Sequence, residues 1–261
     1  MPPLTDPAGP VDGLIVEQHD SITVITFNRP NKRNALTRNI VRSLPQLLAT
    51  AAQTSTAVVI SGGSSYFSAG MDLSELGNGA NDAQVDDELA ALSQAISNLS
   101  VPVIAAIEGA CVGGAVEMAL SCSVRVISSE AFFAVPAVRL GVLYRPDGIA
   151  AITQLVGRQT AMRLLVIGET IRGVDALTAG LAATVTEPGS VLAEALRMAE
   201  LTKTSVPSAA AATKAVIIAA SSDSTDLSQF EAERARLLTS PERQQALVQA
   251  QSQRPSETPK P

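Results

Sequence analysis

The sequence predicts an α/β fold with an all-helical C-terminal region, and three features carry that prediction. Short runs of β-branched and aliphatic residues recur through the first half of the chain, each the length of a buried strand. Segments with helical spacing separate them. From Gly148 onward the pattern is nearly all helix, so strands and helices alternate first and helices then run alone, as in an α/β core with a helical appendage. The division falls near residue 204, giving a core over 1–204 and a helical region over 205–261.

The elements follow in order. Leu14–Gln18 and Ile22–Phe27 flank His19-Asp20-Ser21 and read as a hairpin. Thr37 suits the N-cap of a helix running to about Ala51, with Pro45 as a local irregularity. Ala57–Ile60 is a short buried strand closed by Ser61-Gly62-Gly63. Val85, Leu89, Leu92, Ile96 and Leu99 recur in steps of four and three, one apolar helix face. Asp86, Asp87 and Glu88 are read as its first turn, where the helix dipole favours acids. Val103–Ile107 is a strand, Gly113 to Ser121 a helix, and Val124–Ile127 and Phe132–Ala134 are strands. Ala150–Val156, Ala161–Ile167 and Asp175–Ala179 are helical, each ending near a glycine. Ala182–Val185 is a last strand, Val191–Lys203 a helix, and three further helical stretches follow Pro207. The tail SQRPSETPKP is polar and Pro-rich, a composition expected to be disordered.

Composition removes several functions. The net charge is −6 and no Lys/Arg stripe runs along any segment, so nucleic acid, which needs a basic footprint, is not an expected partner. Aromatics are 3% with no Trp, too few for base-stacking platforms. Val101–Ser123 is the most apolar stretch, yet it holds Glu108 and Glu117. Two carboxylates at mid-membrane would cost roughly 2.5–3.5 kcal/mol each, so the segment is a protein core and no membrane is expected. The N-terminus has no basic-then-apolar signal pattern, and Cys111 and Cys122 lack C-x-x-C spacing. Both fit buried free thiols in a cytoplasmic protein.

Elimination narrows the chemistry. His19, the only histidine, falls in the expected hairpin turn beside Asp20 and reads as a surface turn residue, which leaves no other histidine for a Ser-His-Asp or Cys-His system or for a His/Cys metal cluster. No phosphate loop is present, and Gly109-x-x-x-Gly113-Gly114 has the wrong spacing for a dinucleotide fingerprint. Carboxylate and backbone chemistry remain. Gly113-Gly114 opens a helix after a buried strand, where free N–H groups sit at the positive dipole end. Glu117 lies one turn further on the same face. The pair suits a reaction that builds charge on a carbonyl oxygen beside a base. It equally suits a glycine packing site with Glu117 paired to Arg125 or Arg139.

Five ordered segments resemble the enoyl-CoA hydratase/isomerase (crotonase) family: ITFNRPNKRNAL (Ile25–Leu36), YFSAGMDL (Tyr66–Leu73), PVIAAIEGACVGGAVEMALSC (Pro102–Cys122), AFFAVPAVRLGV (Ala131–Val142) and LLVIGETIRGVDALTAGLAATV (Leu164–Val185). The resemblance implies a crotonase-like spiral of ββα units with a C-terminal helical trimerisation region, a homotrimer or hexamer, and acyl-CoA substrates with no cofactor beyond coenzyme A itself. It also implies an oxyanion hole from the Met71 and Gly114 N–H groups, with Glu117 as the first of two catalytic glutamates. Ala35, Ala69, Met71, Asp72, Leu73 and Gly114 would border the substrate. Lys32 and Arg33 would meet the coenzyme A phosphates, or else are solvated loop charges.

Departures from the family pattern matter equally. Ala137 stands where hydratases carry the second glutamate, Ala115 replaces a glycine and Ser123 an aspartate. The usual glycine-rich loop reads Tyr144-Arg145-Pro146-Asp147-Gly148. Asp147 there is either a helix cap or a relocated proton donor. The resemblance therefore implies a hydratase-like enzyme with one of two glutamates missing. The alternatives are a decarboxylase, isomerase or thioester hydrolase using the same enolate, or a non-catalytic acyl-CoA-binding protein.

Overall fold

A computed structural model describes residues 11–77, 79–221 and 226–252. Residues 1–10, and the tail beyond Ser252 expected to be disordered, lie outside them. Two compact units divide the chain, Met1–Lys203 and Thr204–Pro261.

The first unit is built by a repeating step. Strands β1 (Leu14–His19) and β2 (Ile22–Phe27) form the expected hairpin, paired antiparallel from Leu14↔Phe27 to His19↔Ile22. His19 thus ends a strand, and Asp20, with φ 55°, makes the turn. Helix α1 (Arg38–Ala51) follows, and the Thr37 side chain accepts from the Ile40 N–H as its N-cap. Next come β3 (Ala57–Ser61), β4 (Tyr66–Ser68) and α2 (Gly79–Asn98). The third step is β5 (Val103–Ile107), β6 (Ala110–Val112) and α3 (Gly114–Ser121). The fourth is β7 (Val124–Ser128), β8 (Phe132–Ala134) and α4 (Pro146–Ala161). Gly157 breaks α4 with φ 75° and ψ 157°. A π-helix, Met162–Ile167, closes on left-handed Gly168. Then come β9 (Ile171–Arg172), α5 (Gly173–Thr178), β10 (Thr184–Thr186) and α6 (Val191–Glu200).

Each of the middle steps gives one strand to each of two sheets. The larger sheet runs β1-β2-β3-β5-β7-β10 and the smaller β4-β6-β8-β9. All pairings are parallel except β1–β2 and β8–β9. That arrangement is the spiral of ββα units. β3 and β5 are buried along their whole length, which is why both read as unbroken apolar runs. Alternation then sorts their two faces. Val58, Ile60, Val103, Ala105 and Ile107 face a core with α1, α2 and α3. Ala57, Val59, Ile104 and Ala106 pack with Val191, Ala195 and Ala199, a four-residue stripe on α6.

The second unit holds α7 (Pro207–Ala220), α8 (Glu231–Leu238) and α9 (Pro241–Ser252). Ile217, Leu238, Leu247 and Val248 are exposed there.

The first-turn reading of Asp86, Asp87 and Glu88 is corrected. α2 begins at Gly79, so these acids lie in its third turn and the dipole does not explain them. Glu88 instead pairs with Arg38 and Arg42 of α1, both at 2.6 Å. Those guanidiniums hold its carboxyl down at about 2.

Candidate active site

Two loops are drawn together by backbone bonds. The Leu36 N–H donates to Gly70 O and the Asp72 N–H to Leu36 O, both at 2.8 Å, forming the parallel Leu36↔Met71 bridge. In that bridge the Met71 N–H faces away from Leu36. Buried Asn34 locks the turn: its side-chain Nδ2 donates to Gly62 O (2.7 Å) and Tyr66 O (3.1 Å), and the Arg29 N–H donates to its Oδ1. Arg29 reaches across to Ala35 O and to the Asp72 carboxylate. Asp72 is thereby a bracket between the loops, with its carboxyl held low by Ser74 and then Arg29.

Gly70 and Gly113 make the close approach. Gly70 has φ 87°, and a Cβ there would lie 2.6 Å from Val112 O. Gly113 is the N-cap of α3 with φ 59°. A Cβ on Gly114 would meet Leu89 Cδ2 at 2.7 Å and Met71 Cγ at 3.6 Å. The fold thus brings Met71 and Gly114 side by side. Neither the Met71 nor the Gly114 N–H has a hydrogen-bond partner among the described residues, although Gly114 is buried. A buried donor is normally paired, so the free Gly114 N–H, with the half-buried Met71 N–H beside it, makes an arrangement suited to an anion at a helix start.

Glu117 sits on α3 one turn beyond. Ser93 Oγ of α2 donates to its Oε1 at 3.4 Å, and a Cβ on Gly148 would lie 3.7 Å from its carboxylate. Burial, with the Asp86 charge nearby, raises its carboxyl to about 7, against the pull of Ser93. That value suits a group that takes and returns a proton near neutrality. Arg125 does not pair with it; its guanidinium donates to Leu181 O and Cys122 O. Arg139 donates to Gly168 O. The packing reading with a Glu117 ion pair to either arginine is therefore corrected.

The fourth turn of the spiral closes the site. Ala137 is buried and lines an apolar cavity of about 160 Å³ together with Val142, Leu143, Tyr144, Ile149 and Leu165. Arg145 pairs with Asp147 at 3.1 Å and with Asp87 of α2. Asp147 lies in the first turn of α4, where its Oδ1 accepts the Gly148 N–H at 3.0 Å. The Arg145 contact keeps its carboxyl below the usual range.

The remaining expected residues lie on the two bridged loops. Lys32 and Arg33 are exposed, and their side chains pair with no acid among the described residues. Ala35, Ala69 and Met71 are half-buried, and Leu73 is 67% exposed. Sequence reading missed Ser93, Asp86 and Gly148 as neighbours of Glu117. Ser93 follows Leu89 by four on the apolar face of α2, and Asp86 precedes it by seven. A polar pair inside an apolar stripe was the available signal. Among the described residues, no group of three or more His, Cys, Asp or Glu could hold a metal. No helix among them is long and apolar enough to cross a membrane.

A ββα spiral that sets two free N–H groups beside a half-buried glutamate defines a class of protein, and comparison with known proteins gives the family. The sequence matches the Enoyl-CoA hydratase/isomerase family over residues 17–254, and the chain belongs to that family. It is similar to 2,3-dehydroadipyl-CoA hydratase of Escherichia coli, 34% identical over 188 residues, 71% of this chain and 74% of that protein. It is also similar to short-chain-enoyl-CoA hydratase of Clostridium acetobutylicum, 30% identical over 212 residues, 79% of this chain and 81% of that protein. The solved structure of Pseudomonas aeruginosa DspI superimposes with a TM-score of 0.87 at 27% identity, covering 93% of this chain and 95% of that one. The fold is the crotonase fold.

Proposed function

We propose that this protein is an acyl-CoA enzyme of the hydratase type that works with Glu117 as its one catalytic carboxylate. The observation that carries the reading is the pair of free N–H groups at Met71 and Gly114 beside Glu117, whose carboxyl is raised to about 7. A thioester carbonyl oxygen accepts from both donors. Addition of water at Cβ moves electrons through Cα onto that oxygen, and the two N–H groups stabilise the enolate. Ionised Glu117 takes the proton from water, and the same proton, carried on Glu117, then reaches Cα. Lys32 and Arg33 meet coenzyme A phosphates at the mouth, with Ala35, Ala69, Asp72 and Leu73 along the nucleotide and pantetheine path. Asp147 is a brace for Arg145 in this reading, since its ionised carboxyl has no proton to give. The acyl chain enters the apolar cavity beyond Ala137. Its volume is close to that of an apolar cavity known to take a benzene-sized guest, about six carbons.

One observation favours a second reading. Ala137 is buried among apolar groups, so the second carboxyl is absent, and a carrier that binds acyl-CoA without turnover would tolerate that loss. Turnover of 2-enoyl-CoA thioesters, followed by loss of enoyl absorbance and set beside binding of the saturated thioesters, separates the two. Hydration that disappears in Gly114→Pro supports the enzyme; binding with no product from any chain length supports the carrier. No binding of any acyl-CoA would overturn both. The exposed apolar residues of α7–α9 support assembly into a trimer, which light scattering would test.

A further inference from the structure

Tyr144 has no role in the reading above, yet it stands at the centre of the site. A Cβ on Gly113 would lie 3.7 Å from the Tyr144 hydroxyl, so the phenol hangs over the start of α3, next to the Gly114 donor. The ring is partly buried and packed on the main core, and it forms one wall of the cavity that Ala137 also lines. Its hydroxyl has no hydrogen-bond partner among the described residues.

The loop around it is fixed. Arg145 is tied to Asp87 on α2 and to Asp147 on α4. Pro146 restricts Arg145 to extended backbone, φ −54° and ψ 136°. A phenol held between two braced elements, with its polar tip unpaired, is oriented for a partner from outside the chain.

We propose that Tyr144 is a substrate-contacting residue, whose neutral hydroxyl donates a hydrogen bond to the oxygen at Cβ of the acyl group. This inference rests on the acyl-CoA reading of the same site. The place fits: Cβ is two bonds beyond the thioester carbonyl carbon that the Gly114 N–H would hold, within reach of a hydroxyl lying over Gly113. The chemistry is right as well. Burial, and then the charges of Glu117 and Asp86, push the phenol further from ionising, so it stays a donor and does not become a base. Ala137 leaves that oxygen without the carboxyl that hydratases place there. Tyr144 restores a hydrogen bond to it, while proton transfer stays with Glu117. The predicted outcome is selectivity for a β-oxygenated acyl group in place of a general acid.

Tyr144→Phe removes only the hydroxyl and keeps the ring that packs on the core. Calorimetric affinities of the full chain for butyryl-CoA and 3-hydroxybutyryl-CoA test the contact. The variant should bind 3-hydroxybutyryl-CoA roughly two- to tenfold more weakly, the worth of one neutral hydrogen bond, and butyryl-CoA unchanged. A melting temperature equal to the parent's would confirm intact packing. Equal weakening of both ligands, or of neither, would overturn the role of Tyr144 and leave the acyl-CoA site standing. Failure of the parent chain to bind either thioester would overturn the acyl-CoA reading, and this inference with it.

Discussion

Replacing Glu117 by glutamine should stabilise the protein at alkaline pH, because the ionised carboxylate is a burden on the fold, and should cut turnover. Its carboxyl rises from an ordinary 4.5 to about 7 in the folded chain, chiefly through burial. A carboxyl raised in this way favours folding fully below about 4.5, and that contribution is lost as the pH climbs through about 7. Converted at about 1.4 kcal/mol per pH unit between the two values, the cost reaches roughly 3 kcal/mol at pH 8 and above. At pH 5 the folded carboxyl is still protonated and the cost stays under roughly 1 kcal/mol. Glutamine keeps the Oε1 that accepts from Ser93 and carries no charge at any pH. Urea unfolding of parent and variant at pH 5 and pH 8, at one fixed protein concentration, should show the variant's advantage growing by about 2 kcal/mol. An advantage equal at the two pH values would refute the raised carboxyl. In turnover assays the same variant should lose about 10²–10⁴-fold, the usual worth of a general acid/base.

Ala137→Glu should supply the missing carboxyl and raise crotonyl-CoA hydration at least about tenfold, a small part of the full effect; a folded, acyl-CoA-binding variant with no gain would show that the surroundings of Tyr144 and Arg145 misplace it. Gly70→Ala should destabilise by roughly 1–3 kcal/mol, because its φ of 87° and a Cβ 2.6 Å from Val112 O both resist a side chain. Denaturant midpoints check this, and an unchanged midpoint would mean that the Met71 loop and β6 can separate freely.

Where a single residue type has one local use, the sequence was readable. Thr37 caps α1 as its position suggested, and Gly113-Gly114 opens α3 after a strand. Apolar runs found β3, β5 and β7 because both faces of those strands are buried. The three-residue strands β4 and β6, and the two-residue β9, escaped because their partners lie in other turns of the spiral; such short pieces carry no period of their own. α2 starts earlier than its apolar stripe because Asn81 to Gln84 are polar or small and give no stripe to follow. In the site, Glu117 was legible from its place one turn past Gly114. Its neighbours Ser93, Asp86 and Gly148 were not, since two of them come from α2 and one from α4, and only the fold joins those elements.

The spiral also divides the site by turn. Met71 comes from the second turn, Gly114 and Glu117 from the third, and Ala137, Tyr144 and Gly148 from the fourth. The second and third turns hold one another through the Gly70–Val112 approach, so a change in either disturbs both N–H groups at once. The fourth turn joins the third through its strands, with β6 paired to β8 and the Gly113 N–H donating to Ala134 O at 2.9 Å, while Ala137, Tyr144 and Gly148 come from the segment that follows β8. In the function proposed above, substitutions in the segment after β8 change the surroundings of the acyl group while Met71, Gly114 and Glu117 stay in place. A fold built on this plan can vary position 137 without altering the strands that place the two N–H groups, so a change of chemistry there need not cost the fold.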